Sequence, residues 1–251
     1  PPLMTLDEAL PGLLSRAETL PLNEWVDTFA ADGRVLAEDL VAELQVPPQD
    51  NSSMDGYAVR CADLAQVNVV LQVTQRIPAG SQGTALHAGQ AARIFTGAPI
   101  PPGADAVVMQ EDAQALDDGR VQIKGVPTVG QWIRRSGEDI TRGSTVLSKG
   151  TRLGPAELGL AASLGRDRLQ VRAKPRVALF STGDELVMPG TVAPADMPPG
   201  AIYNSNRFFL RALLQRMGCQ VTDLGIVPDR REATLAASAN AARVASRRSG
   251  I

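Results

Sequence analysis

The spacing of apolar and polar residues divides the chain into segments of different character. A stripe with the period of a helix begins at Leu6, and Thr5 followed by Glu8 forms a capping signal in front of it. Pro11 lies inside this stripe, so we expect a kink or break there. From about residue 47 to 139, short apolar runs alternate with Gly and Pro, a pattern typical of strands and turns.

The last third of the chain alternates between strand and helix patterns. Residues 176–180 form a continuous apolar run, as in a parallel strand covered on both faces. Asn204 or Ser205 caps the next helix, residues 219–225 read as a second strand, and Asp229–Glu232 has the spacing of a capping box before a further helix. This order predicts a doubly wound α/β domain. Two strands are too few to complete such a sheet, so we expect the domain to be incomplete.

These patterns predict a mixed multidomain fold. A β-rich domain at residues 47–142 is inserted in a mixed α+β region made of residues 1–46 and 143–173. The start of an incomplete doubly wound α/β domain follows at residues 174–251.

Composition excludes several classes of function. The 251 residues carry a net charge of −2, which argues against nucleic acid as a partner. The sequence has no apolar run of membrane-spanning length, so no membrane association is expected. One His and two Cys are too few for a His- or Cys-based zinc site, and two thiols without a signal peptide suit the cytoplasm. Carboxylates, hydroxyls and backbone amides remain as the candidate chemistry.

Three motifs in the first 140 residues are candidate sites, and each has a plainer alternative. Asp55 lies among small polar residues and precedes Gly56, so it either serves a ligand or caps its own backbone in an Asx turn. Thr96, followed by a glycine at a strand end, forms either an amide nest for an oxyanion or a simple corner. Asp139 belongs to a pair of adjacent acids that is either part of a site or a solvated turn.

The segment Ser181-Thr182-Gly183-Asp184-Glu185 lies where α/β sheets bind ligands, at the carboxyl end of a strand. Its hydroxyls and glycine suit a phosphate group, and its acids suit Mg²⁺. Asp229 follows the second strand in the same way, although the capping box is a competing explanation.

Taken together, these segments resemble one family, the molybdopterin molybdenumtransferases, called MoeA in bacteria and the E domain of gephyrin in animals. The resemblance rests on motifs in family order: NSSMDGYAVR at 51–60, RIFTGAP at 93–99, ADAVVMQED at 104–112, GEDI at 137–140, PRVALFSTGDEL at 175–186 and the stretch 202–229.

The resemblance implies an enzyme that inserts molybdate into adenylylated molybdopterin with Mg²⁺ and releases AMP, completing the molybdenum cofactor. It implies a homodimer whose cleft lies between the α/β domain, of the molybdopterin-binding type, and the partner's β-rich domain. The functional residues that it carries over are, for catalysis, Asp55, Thr96, Asp139, Glu185 and Asp229, with Glu185 and Asp229 as metal ligands, and for substrate binding, Ser181, Thr182 and Gly183.

This sequence departs from the family pattern after residue 245, where the family continues with a further strand, a Ser-Gly-Gly-rich loop and a small β domain. Two alternatives to a working enzyme therefore stay open. One is a non-catalytic truncated fragment, and the other is a protein-binding scaffold of the same fold.

Overall fold

The structure is a computed structural model that describes residues 4–246. Its α-helices are α1 Leu6–Leu14, α2 Pro155–Ser163, α3 Ser205–Arg216 and α4 Arg231–Ser246. Its strands are β1 Asn23–Asp27, β2 Leu40–Val41, β3 Asn51–Ser52, β4 Gly56–Val59, β5 Val69–Ile77, β6 Gln90–Ile94, β7 Ala106–Met109, β8 Ala113–Ala115, β9 Arg120–Ile123, β10 Ile133–Arg134, β11 Thr145–Leu147, β12 Arg168–Arg172, β13 Arg176–Thr182, β14 Leu186–Val187, β15 Ile202–Tyr203 and β16 Gln220–Val227.

Residues 39–147 form one compact unit around a six-stranded sheet in the order β7-β4-β6-β5-β9-β8. Both faces of this sheet are buried: Tyr57 and Val108 belong to one apolar cluster, and their neighbours Ala58 and Val107 belong to another on the opposite face. This explains why the sequence shows continuous apolar runs here rather than strict alternation. At Gly56 a Cβ atom would lie 1.9 Å from the Val108 carbonyl oxygen, so β4 and β7 pack too closely for a side chain at this position.

The second compact unit combines residues 1–38 with residues 148–251, of which 4–38 and 148–246 are described. In its first part β1 pairs with β12 in antiparallel register, and the Leu36 amide donates to the Thr151 carbonyl oxygen at 2.9 Å. Leu36, Leu153 and Val171 are fully buried here.

The remaining part of this unit is a parallel β–α–β arrangement. β13 and β16 are parallel, α3 connects them, and both α3 and α4 contact the two strands. Thr182 pairs with Val227 at the end of both strands. Because parallel strands that end together place their following loops at one edge of the sheet, residues 183–185 and Asp229 lie at the same edge.

The fold class expected from the sequence is confirmed, with two local corrections. Helix α1 has the predicted capping box, with the Glu8 amide donating to the Thr5 hydroxyl; of the kink or break expected at Pro11, the break is absent, because the helix continues to Leu14. Helix α4 begins at Arg231, and no hydrogen bond to the Asp229 carboxylate is formed among the described residues, so the predicted capping box is absent. Over residues 4–246 the structure contains no helix long and apolar enough to cross a membrane.

Candidate functional site

The sheet register brings Asp55 and Thr96 together. Gly56 at the start of β4 pairs with Ile94 at the end of β6, so the residues just outside the two strands are neighbours. The backbone amide and the hydroxyl of Thr96 both donate to Asp55 Oδ1, at 2.8 and 2.9 Å. These two bonds, the amide first, lower the pKa of Asp55 from its ordinary value, and the charge of Arg93 contributes further. Asp55 is therefore an exposed carboxylate held in its ionised form.

These contacts show which local hydrogen bonds the two residues form. The Asp55 carboxylate bonds across the sheet instead of capping its own turn. The three amides that an oxyanion nest would need are already engaged within the protein: Thr96 with Asp55, Gly97 with Ser52 and Ala98 with Phe95. The loop after β6 thus offers no free amide nest, and what Thr96 does in this structure is orient Asp55.

Arginine and aromatic side chains lie beside this carboxylate. The Arg93 guanidinium donates to the Gly56 carbonyl oxygen at 2.8 Å and to Gln110 Oε1 at 2.7 Å, and it lies 4.7 Å from the centre of the Phe95 ring. Arg76, on the neighbouring strand, lies 4.5 Å from the same ring. Phe95 thus contacts two guanidinium groups, and of these two arginines it is Arg93 whose charge acts on Asp55.

Asp139 has a partner of its own in the same unit. Arg134 Nη2 donates to both Asp139 oxygens, at 2.6 and 2.5 Å, and Arg135 Nη1 donates to Asp50 Oδ2 at 2.6 Å. No hydrogen bond in the described part of the chain joins Asp139 to Asp55 or Thr96. Both arginines are paired with carboxylates, so neither guanidinium is left to bind an external anion alone.

The predicted substrate loop lies at the carboxyl end of β13, which extends as far as Thr182. Ser181 Oγ donates to Asn204 Oδ1 at 3.4 Å, which fastens the strand end to the start of α3. Gly183 has φ of +145°, and a Cβ atom there would lie 2.7 Å from both carboxylate oxygens of Glu185. Only glycine, therefore, allows the Glu185 carboxylate to fold back over the loop.

The carboxylate of Asp184 connects the ends of β13 and β16 through a hydrogen bond. The Asp229 amide donates to Asp184 Oδ1 at 3.3 Å, which connects the loop after β13 to the residue after β16. This sheet edge thus carries three acidic residues, Asp184, Glu185 and Asp229. Carboxylate oxygens are the ligands that Mg²⁺ prefers. Among the described residues, however, no group of three or more His, Cys, Asp or Glu is arranged to hold a metal ion. One or two carboxylates together with substrate oxygens and water form an ordinary Mg²⁺ site, so this donor set fits that ion.

The fold and this edge together define a class: a β-rich unit linked to a parallel α/β part whose strand ends carry a polar, acidic loop. Comparison with known families makes the class specific. Residues 4–165 match the MoeA N-terminal region (domain I and II), and residues 178–247 match a probable molybdopterin binding domain. The chain belongs to the MoeA family.

Individual relatives agree with this assignment. The chain is 40% identical over 228 residues to the molybdopterin molybdenumtransferase of Haemophilus influenzae, covering 90% of this chain and 55% of the relative. It is 42% identical over 227 residues to the enzyme of the same name from Nostoc, covering 88% and 50%. A crystal structure of the molybdopterin biosynthesis moeA protein from Pyrococcus horikoshii superposes with a TM-score of 0.86 at 32% identity, covering 94% and 64%. The chain spans about half the length of the curated relatives it matches.

Three contributors to the site are not evident from the sequence. The pattern marks Asp184 only as part of its loop, and its bond to the Asp229 amide depends on the pairing of β13 with β16. Arg93 belongs to a motif in which the sequence assigns it no role of its own. Asn204 is predicted as a helix cap, but its Nδ2 is buried without a hydrogen-bond partner among the described residues, which no sequence pattern reveals.

Proposed function

We propose that the protein inserts molybdate into adenylylated molybdopterin in a Mg²⁺-dependent reaction that releases AMP, as a step of molybdenum cofactor biosynthesis. One observation carries the proposal: the MoeA N-terminal region and the probable molybdopterin binding domain follow one another on a single chain. The exposed carboxylate of Asp55 and the acidic loop after β13 are the candidate groups for the chemistry of this reaction.

The charge of the substrates explains why acids need a metal here. Molybdate and pyrophosphate are anions, so carboxylates alone would repel them. Glu185 and Asp229 are the residues proposed to hold Mg²⁺, which would neutralise the phosphate oxygens and stabilise the AMP leaving group. The neutral groups of Ser181, Thr182 and Gly183 are proposed to bind the substrate beside it.

In the β-rich unit, the proposed role of Thr96 is to orient the Asp55 carboxylate through its two hydrogen bonds. Asp139, balanced by Arg134, is the remaining acid proposed for catalysis. We further propose that the working form is a cytoplasmic homodimer in which the β-rich unit of one protomer faces the α/β part of its partner.

The test is a measurement of AMP release from adenylylated molybdopterin with molybdate, using the protein extended to the length of its relatives. We expect release to need Mg²⁺ and to stop with a chelator. Asp55→Asn and Glu185→Gln should each slow it by about 100-fold or more, the usual cost of losing a group that acts on transition-state charge.

Asp117→Asn is the matched control, because it removes the same charge from an exposed acid in the turn between β8 and β9. It should release AMP at the wild-type rate. Wild-type rates in both site variants, or release that the chelator does not affect, would contradict the proposal and favour the scaffold alternative.

A further inference from the structure

A crevice in the unit formed by residues 1–38 and 148–251 has no place in the proposed reaction. Its volume is about 600 Å³, within the range of ~300–1,000 Å³ usual for small-molecule sites. Five basic side chains line it, and we call it the basic crevice: Arg34, Arg152, Arg172, Lys174 and Arg216.

Two of these arginines form side-chain hydrogen bonds within the protein. Arg34 is only 9% exposed, and its Nη2 pairs with Glu24 and donates to the Arg172 carbonyl oxygen at 2.7 Å. The Arg172 guanidinium donates to Asn23 Oδ1 at 2.9 Å, a neutral partner, and so keeps its positive charge uncompensated. Arg34 is therefore held in place by burial and pairing, and the bond to Asn23 restricts Arg172, which reduces the entropy lost on binding.

The other three basic residues have no acidic partner in the described chain. Arg152, Lys174 and Arg216 form no ion pair with any described carboxylate. Glu18 and Asp32 also line the crevice and, within residues 4–246, are likewise unpaired. Because Glu24 neutralises Arg34, the lining of the crevice carries four remaining positive charges and two negative charges. A concave surface with an excess of one sign focuses its field and attracts counter-ions of the opposite sign.

The walls of the crevice are not purely polar. Leu20, Val35 and Pro175 line it together with the basic residues. An apolar wall beside arginines suits an anion attached to an organic body better than a bare inorganic ion. Arginine, moreover, matches the geometry of phosphate oxygens with two parallel donors.

We propose that the basic crevice binds a phosphate ester, with the phosphate held by Arg152, Arg172 and Lys174 and the organic part packed against Leu20, Val35 and Pro175. Arg216 lies at the last turn of α3, where its charge also offsets the negative end of the helix dipole. The site is separate from the sheet edge that carries Glu185 and Asp229, and it does not depend on the proposed reaction.

The test uses glucose 6-phosphate and AMP as probes and glucose as the uncharged control, with binding measured by calorimetry. The wild-type chain should bind both phosphate esters and not glucose. Amide resonances of Gly33 and Gly218, which line the crevice, should shift on addition of ligand. A tighter complex with AMP would assign the crevice to nucleotides, and equal affinities would assign it to phosphate esters in general.

Arg152→Gln/Lys174→Gln should weaken binding at least tenfold. Lys124→Gln/Arg142→Gln removes the same charge from the other unit and should leave binding unchanged. Equal losses in both double variants, equal binding of glucose, or no binding by the wild-type chain would overturn the proposal.

If binding is instead lost in Ser181→Ala, the esters occupy the sheet edge and the assignment to the crevice is wrong. The Gly33 and Gly218 shifts are read in the wild type, so their absence overturns the proposal even if a variant fails to fold.

Discussion

At the scale of single residues, Thr96 orients the Asp55 carboxylate and lowers its pKa. Its amide and hydroxyl both donate to one carboxylate oxygen, and together they lower the pKa of Asp55. A lowered pKa in the folded protein means that ionised Asp55 stabilises the fold above the pKa of the unfolded chain. That contribution disappears as the pH falls through the folded-state pKa.

Replacing the hydroxyl tests this directly. Thr96→Val keeps the amide bond but removes the hydroxyl bond, so the pKa of Asp55 should rise partway towards its ordinary value. Thr96→Ser retains a donor and should leave the pKa near that of the wild type. Carboxyl carbon NMR titration of Asp55 measures both, and an unchanged pKa in Thr96→Val would show that the hydroxyl bond does not matter.

Gly183 makes a second prediction at this scale. Gly183→Ala should displace the Glu185 carboxylate, because the new Cβ atom would lie 2.7 Å from both of its oxygens. Gly190→Ala is a matched control: Gly190 also has positive φ, +86°, but a Cβ atom there would meet no neighbouring atom within 4 Å. Both variants should lose about 1–2 kcal/mol of stability from backbone strain in denaturant titrations. Only Gly183→Ala should also slow AMP release, by about tenfold or more, and equal rates would contradict the role given to Glu185.

At the scale of secondary-structure elements, an ion pair joins α3 to β16. Arg207 Nη2 lies 2.7 Å from Asp223 Oδ1, with both side chains mostly buried. Burial acts to raise the pKa of Asp223, but the hydrogen bonds from Arg207 and from the Gly225 amide outweigh it and the net shift is downward. The pair therefore stabilises the contact of helix and strand that supports the sheet edge.

Arg207→Met should destabilise the protein by about 1.5–3 kcal/mol at neutral pH, since it leaves a partly buried charge without its partner. The difference from the wild type should shrink in acid, because protonation of Asp223 removes the charge in both proteins. Arg211→Met removes a charge that also lowers the pKa of Asp223 but forms no hydrogen bond with it, so its cost should be smaller, within about 0.5 kcal/mol. Urea titrations at several pH values measure these differences. A pH-independent loss would contradict the ion-pair explanation.

The elements themselves follow largely from local signals. Three predictions that depend only on neighbouring residues are confirmed: the capping box of Thr5 and Glu8, the strand at 176–180 and the helix that starts after Asn204. The contact of Asp55 with Thr96 is different, because the two residues are 41 positions apart and meet only through the register of β4 with β6. No local pattern encodes that register. For the same reason the sequence does not predict the bond between Asp184 and Asp229, and the capping role that it predicts for Asp229 is wrong.

At the scale of the whole molecule, the candidate residues are divided between two compact units. Asp55, Thr96 and Asp139 belong to residues 39–147, whereas Ser181, Glu185 and Asp229 belong to the other unit. The proposed function requires both groups in one cleft, and the proposed homodimer supplies the arrangement. The domain boundaries drawn from the sequence, at 46/47, 142/143 and 173/174, stay a prediction.

The most direct test of a cleft shared between protomers is the activity of purified heterodimers of the protein extended to its relatives' length. One protomer carries Asp55→Asn and the other Glu185→Gln, while a control heterodimer carries both changes in one protomer beside a wild-type partner. A cleft shared between protomers leaves one intact site in the first heterodimer and none in the control, because in the control each cleft contains one altered acid. We therefore predict AMP release at about half the wild-type rate per dimer from the first and almost none from the control. The reverse result, with activity in the control and none in the first heterodimer, would show that each cleft is formed within one protomer.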